Sequence, residues 1–324
     1  MDFTLTPDQN ALVTAIDRLA AQFAAKPADA HGFVLFGREL EQELENGQYF
    51  DIATIPELGP LCAALAVERL AHLPCTVECA LSMLVRPQLD GEWPRPVALV
   101  ENGRPGRFVV GAKTLIVIDG EDVSVGRLSD NATEPVESLF AYPMGRLKKS
   151  VPLTRLSDSG AANVRKWLRI ALAAETSGLL QAAITSAVEH LTVRKQFGRP
   201  LGTFQALRHR MAECAVLAAG VHWLAMKAAW TGDDGDAALA ACHAQESATR
   251  IVYDTHQMLG AMGMTLEHPL HLWTYRLKAL LSELGGRGAQ AVAVAQYCFG
   301  ESEQSRVPNG ARVSESRARD AQPA

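Results

Sequence analysis

The sequence predicts a mainly α protein with a small central antiparallel β domain and a C-terminal four-helix bundle. Three observations predict it. Apolar residues recur at helical spacing up to about residue 87, short β-rich runs separated by turns fill the stretch from Trp93 to Ser150, and helical spacing returns from about Asp158 to Phe299. The implied divisions are a reduced N-terminal helical domain (1–90), a truncated β domain (91–150), the bundle (151–300) and a tail (301–324). The tail lacks apolar periodicity and reads as disordered.

The elements follow in order. Thr6-Pro7-Asp8-Gln9 is a helix start, with Thr6 as N-cap, Pro7 at the first position and Gln9 closing a capping box. Leu12, Ala15, Ile16, Leu19, Ala20 and Phe23 then recur at helical spacing. Residues 25–58 are polar and weakly patterned. A second helix covers Leu61 to Leu70 and a third about Val77 to Val85. The β-rich runs are Val97–Val100, Arg107–Val110, Thr114–Ile118 and Asp122–Val125, with turns at Gly103, Pro105-Gly106, Gly111 and Asp119-Gly120. Asp158-Ser159 can cap a helix from Ala161 to about Lys195 that is apolar almost all round, so it is buried on most sides. Further helices fall at about 203–230, 235–261, 269–283 and 287–299.

Composition narrows the function classes. With 48% hydrophobic and 21% charged residues the 324-residue chain can bury a sizeable core. Its 31 Lys and Arg against 36 Asp and Glu give a net charge of −5, which argues against a general nucleic-acid binder. No apolar run approaches the roughly 18 residues of a membrane span. Asp2 stands where a secretory leader carries cations, so a cytoplasmic protein is expected. Cys62, Cys75, Cys79, Cys214, Cys242 and Cys298 are scattered, and no second pair completes a zinc frame for Cys75 and Cys79. His268 and His271 flank Pro269-Leu270 and His256 precedes Gln257, but the sequence gives no frame that holds a third ligand in the same shell, so no metal is expected. Trp167, Trp223, Trp230 and Trp273 read as core or interface anchors. No G-x-G-x-x-G follows a strand, and no Walker motif is present.

Two segments remain. One is Val193-Arg194-Lys195-Gln196-Phe197-Gly198-Arg199-Pro200-Leu201-Gly202-Thr203-Phe204-Gln205, between two long helices. The other is His256-Gln257-Met258-Leu259-Gly260-Ala261-Met262-Gly263-Met264, followed by Glu267-His268-Pro269. Each alone is an ordinary helix end or glycine loop. Together, at this spacing, they resemble the C-terminal domain of the acyl-CoA dehydrogenase family, and the helix–sheet–bundle order of the whole chain fits that family.

The resemblance implies FAD as cofactor, an acyl-CoA substrate and an electron-transfer acceptor. It implies that Arg194, Gln196, Phe197, Gln205, Gln257, Gly260 and Gly263 reach the adenine and pyrophosphate end of an FAD held mainly by a neighbouring subunit. The chemistry agrees: a guanidinium and polar donors at a bend suit a pyrophosphate, and glycines let a second backbone segment approach closely.

Departures from the family matter equally. Val97–Asn102 passes straight into Gly103-Arg104-Pro105-Gly106, so the loop that holds the flavin ring in full members is missing. Leu115, Ile116 and Val117 stand where the family has Trp, Ile and Thr. The catalytic base stays unassigned. One family position falls on Leu284, with Glu283 a single residue away, and such a shift turns a helix position by roughly 100°. The other falls on Leu168. Glu283 is the candidate; Glu175 and Glu246 read as solvated or paired helix charges.

The chain therefore reads as three domains with the central one cut down. It resembles the shortened subunit of heteromeric α2β2 acyl-CoA dehydrogenases of steroid side-chain breakdown, which implies a full-length subunit of the same family as partner. A self-sufficient homo-oligomeric dehydrogenase and a helical scaffold without cofactor are the alternatives.

Overall fold

The computed structural model describes residues 4–25 and 35–300. The expected disordered tail, 301–324, lies outside the described residues.

Helix α1 (Pro7–Gln22) begins as its sequence requires. The Thr6 hydroxyl accepts the Gln9 N–H at 3.3 Å and the Gln9 side chain accepts the Thr6 N–H at 3.0 Å, closing the capping box. The stretch read as polar and weakly patterned contains a second helix, α2 (Arg38–Asn46), and a 3₁₀ turn at Tyr49–Thr54. Only Leu40 and Leu44 of α2 are buried, so its apolar stripe is too narrow to stand out among charged neighbours. Helix α3 (Gly59–Ala71) is followed at Leu81–Val85 by a wide helical turn instead of the third regular helix expected at Val77–Val85. The buried Glu78 carboxylate fixes this turn. It accepts the N–H groups of Leu81, Ser82 and Val97, each at 3.1 Å, and the Ser82 hydroxyl, tying the turn to the first strand.

The strands are β1 (Val97–Glu101), β2 (Gly106–Arg107), β3 (Thr114–Asp119), β4 (Asp122–Arg127), β5 (Thr133–Pro135), β6 (Met144–Leu147) and β7 (Thr154–Arg155). They form two small sheets, ordered β1-β3-β4-β7 and β2-β6-β5. Pairing is antiparallel except between β1 and β3, which run parallel with Val97 opposite Thr114. The run Arg107–Val110, read as a strand, pairs only at Gly106–Arg107. The chain turns at Phe108, whose φ is 57°, and residues beyond it leave the sheet.

Helix α4 (Asp158–Val193) begins earlier than the expected Ala161, and its cap is Ser157 rather than Asp158-Ser159. The Ser157 hydroxyl accepts the Gly160 N–H at 3.2 Å. A two-stranded hairpin, β8 (Lys195–Gln196) and β9 (Arg199–Pro200), leads to α5 (Gln205–Thr231), α6 (Asp234–Leu259), α7 (His271–Leu280) and α8 (Gly286–Phe299). Helices α4, α5 and α6 pack on one another, α8 packs on α6, and α7 on α4 and α6. Helix α3 covers the remaining side of α4, which accounts for the nearly continuous burial of that helix. Ala171 and Ala174 of α4, and Ala240, Ala241, Ala244 and Ala248 of α6, are fully or almost fully buried. Their small side chains allow close helix approach without cavities. Trp167 and Trp273 are buried as core anchors, whereas Trp223 and Trp230 are half exposed.

Candidate functional site

Two regions bear on chemistry, and the first is the cleft between the sheets and the bundle. Strand β2 brings Arg107 into it, the middle of α4 brings Glu175, and the turn after α7 brings Glu283. The Arg107 guanidinium meets both oxygens of Glu175 at 3.0 Å through Nη1. It meets Glu283 Oε1 at 2.5 Å through Nε and Oε2 at 3.0 Å through Nη2. The Tyr142 hydroxyl donates to Glu175 at 2.6 Å, and its ring lies 4.6 Å under the guanidinium carbon. Arg107 is 9% exposed and Glu175 8%, so this is a buried fork satisfied on both sides. Burial opposes the charge on Arg107, but Glu175 and Glu283 outweigh it and hold the guanidinium well above its ordinary range. Burial pushes the Tyr142 phenol up, and the Glu175 carboxylate beside it adds to the shift. One space beside this cluster, bordered by Val77, Cys79, Leu99 and Phe108, is about 10 Å³, and a second, bordered by Glu101, Phe140 and Met144, is about 110 Å³. The first holds about one water molecule and the second only a few, too little for a flavin ring.

Glu283 faces this cleft, although the ungapped register points it elsewhere. The reason is backbone geometry. Leu284 adopts φ 55° and ψ 32°, and Gly285 and Gly286 also have positive φ. This tight reversal rotates Glu283 inward. The Leu284 N–H is held by both oxygens of Glu101 at 3.0 Å, and the carbonyls of Leu280 and Glu283 accept from Gln245 at 2.8 and 2.9 Å. Burial raises the Glu101 carboxyl pKa. Leu168, the other family position for a base, is an ordinary core residue, and Glu246 lies exposed beside Arg287 at 2.7 Å. Sequence reading singled out neither Arg107 nor Tyr142. Their partners lie 68 and 176 residues from Arg107 and 33 from Tyr142, with no local motif to signal the pairing.

The second region is one end of the bundle. The last turn of α4 and the loop after α6 meet there, with the His190 and His268 rings 5.3 Å apart, edge to face. Gln257 is exposed on the last turn of α6. Gly260 ends that helix with φ 61°, a conformation that disfavours side chains, yet a Cβ there would meet nothing within 4 Å. The close approach is at Gly263, where a Cβ would lie 2.5 Å from the His256 carbonyl oxygen. His256 locks the loop, with Nδ1 2.5 Å from the Gly263 carbonyl and Nε2 2.9 Å from the Thr274 hydroxyl. Burial lowers its pKa.

Gln257, Gly260 and Gly263 line one open groove of about 1110 Å³, together with Tyr253, Tyr275 and Lys278. Arg194, Gln196 and Phe197 are not among its walls. They occupy the exposed hairpin at the same end, where Phe197 has φ 54° and is 87% exposed, edge-on to Phe204 at 6.0 Å. Gln205 is exposed on the first turn of α5, 3.4 Å from His209. The seven residues thus fall into a groove set, a hairpin set and an outlying glutamine.

Fit to a flavin dinucleotide is therefore divided. The sheet–bundle cleft has no room for an isoalloxazine. The bundle end offers exposed Arg194 and Gln196, a bare aromatic ring and an open groove. Among the described residues no helix is long and apolar enough to cross a membrane.

Residues 161–298 match the C-terminal domain of acyl-CoA dehydrogenases. Over that stretch the chain is similar to acyl-CoA dehydrogenases. Acyl-CoA dehydrogenase FadE34 of Mycobacterium tuberculosis is 33% identical over 206 residues, 60% of this chain and 29% of that protein. Acyl-CoA dehydrogenase IpdE2 of the same organism is 29% identical over 187 residues, 55% of this chain and 58% of that one. The chain thus spans less than two thirds of these curated relatives. Its fold is similar to a chain of the ChsE4–ChsE5 complex from Mycobacterium tuberculosis, with TM-score 0.74, 19% identity, and coverage of 93% and 100% of the two chains. A variant of the Tcur3481–Tcur3483 steroid acyl-CoA dehydrogenase gives TM-score 0.73 at 19% identity, covering 91% and 98%.

Proposed function

We propose that this chain is a member of the acyl-CoA dehydrogenase family and the non-catalytic, cofactor-completing subunit of a cytoplasmic hetero-oligomer. That hetero-oligomer dehydrogenates an acyl-CoA thioester between its α and β carbons, in steroid side-chain degradation, and passes electrons to a separate acceptor. The full-length partner holds the flavin ring and the catalytic base. One observation carries the reading: the Glu175 and Glu283 carboxylates are spent on Arg107 and that of Glu101 on the Leu284 N–H, with about 10 and 110 Å³ open on the two sides of the cluster. A base beside a substrate α-carbon needs a free carboxylate and space for the thioester. The chain offers neither. The names of the similar ChsE4–ChsE5 and Tcur3481–Tcur3483 proteins, two-component assemblies and one of them a steroid enzyme, support the partner and the pathway.

FAD, when bound, supplies the hydride acceptor, and this chain acts on the other end of it. Arg194 and Gln196 lie exposed on the hairpin and would bind the pyrophosphate by charge-assisted hydrogen bonds. Phe197 would cover an apolar face of the cofactor. Gln257 would donate from the groove, whose shape depends on the His256–Gly263 contact. Removing the guanidinium tests this directly. Arg194→Ala, co-purified with the full-length partner, is expected to lose most of the flavin absorbance of the complex while both chains still co-elute. A complex that stays fully yellow contradicts the reading and favours the scaffold alternative.

A further inference from the structure

A cleft of about 730 Å³ opens on the opposite side of α4 from the sheets, between α1, α3, α4 and α5. The two regions described above contribute nothing to its walls. It exists because the facing residues are small: Ala20, Ala21, Ala24, Ala215, Ala218 and Ala219 all line it. Its volume lies within the range of small-molecule sites, roughly 300–1,000 Å³.

The floor is a built polar cluster. Glu68 of α3 is 3% exposed and accepts the Ser177 hydroxyl at 2.5 Å, with His222 Nδ1 at 2.7 Å and Arg69 Nη1 at 3.2 Å. Ser177 reaches it because Gly178 lets α4 touch α3, where a Cβ would sit 2.0 Å from the Glu68 carbonyl oxygen. The carboxylate fixes the proton of His222 on Nδ1. Nε2, on the opposite edge of the ring, has no partner among the described residues, and the side chain is 23% exposed on the cleft wall. A carboxylate-oriented imidazole with an open acceptor nitrogen is more than a structural ion pair requires. Gln181 donates its amide to Ser177 at 3.2 Å, which leaves its carbonyl as a second acceptor along the same wall.

Charge decides the ligand class. Asp17 lies 2.9 Å from Arg69, whose guanidinium also balances Glu68 at 3.2 Å. An anion would face two carboxylates, and a cation would displace an arginine already paired twice. Besides the paired Arg69, the polar groups on the cleft include the His222 Nε2 edge, the Gln181 carbonyl, His72 and the Thr185 hydroxyl, and much of the remaining wall is aliphatic with the half-exposed Trp223 ring among it. The geometry points to a second binding site, for an uncharged and largely apolar molecule whose hydroxyl donates to His222 Nε2.

Isothermal titration of the full chain with 2-naphthol, and with 2-methoxynaphthalene whose hydroxyl is blocked, tests this. One saturable 2-naphthol site per chain is expected, with binding of the ether at least tenfold weaker. His222→Phe is expected to weaken 2-naphthol at least tenfold. Ala219→Phe, which fills the cleft from an exposed wall position, is expected to abolish binding, and it decides the matter should His222→Phe fail to fold. No saturable 2-naphthol binding, equal binding of the ether, or undiminished binding by Ala219→Phe overturns the proposal. Loss of binding on assembly with the partner subunit also overturns it, since the cleft is then an interface between chains.

Discussion

Replacing Arg107 by methionine removes the guanidinium from between Glu175 and Glu283 and leaves a thioether of similar reach. The two carboxylates are 8% and 19% exposed, so neither gains bulk water in exchange. Breaking a buried pair by removing one partner costs about 3–5 kcal/mol, because the other charge stays buried without compensation. Here one cation is shared by two anions, and the Tyr142 hydroxyl offsets only part of the charge on Glu175. The loss should therefore reach the upper part of that range. Against a total stability of roughly 5–15 kcal/mol this is a large fraction, on the order of 10 °C in melting temperature. Urea unfolding followed by far-UV circular dichroism measures it. The triple variant Arg107→Met, Glu175→Gln, Glu283→Gln should recover most of the loss, because uncharged amides no longer need the cation. An Arg107→Met variant that loses less than about 1 kcal/mol, or a triple variant no better than the single one, refutes the buried fork.

Two further outcomes follow from the geometry. Gly263→Ala places a methyl 2.5 Å from the His256 carbonyl oxygen, so it should cost about 1–3 kcal/mol by overpacking and lower the flavin content of the complex; unchanged values in melting and absorbance argue against the loop geometry. Burial opposes ionisation of Glu68, but His222 and Ser177 outweigh it and set its pKa below the ordinary carboxylate value. The unfolded chain then binds the extra proton, so the stability this group contributes is present at neutral pH and is lost as pH falls through and below about 4.5. Glu68→Gln should flatten that acid limb in urea unfolding, and an unaltered pH profile contradicts the assignment.

Local order was legible in the sequence. The Thr6–Gln9 capping box, the long α4 and the break at Arg194–Gln205 all depend on neighbours within a turn or two, and the structure has them where the spacing puts them. Helix α2 escaped notice because two leucines carry its whole buried face. The parallel pairing of β1 with β3 was hidden because β2, which lies between them in sequence, joins the other sheet. The cleft was the least legible part. Glu283 and Glu175 were visible as carboxylates, but their shared cation sits on a two-residue strand far away in sequence, and only the folded chain reveals that they are occupied. The left-handed Leu284 is similar: nothing in its sequence context announces a conformation that places its neighbour in the cleft.

The central claim, a subunit that completes a cofactor site without owning one, is tested most directly by counting FAD per chain from absorbance. The account predicts a colourless chain when purified alone, and one FAD per pair of chains once the full-length partner is present. Stoichiometric FAD on the chain alone, with acyl-CoA oxidation, would contradict it.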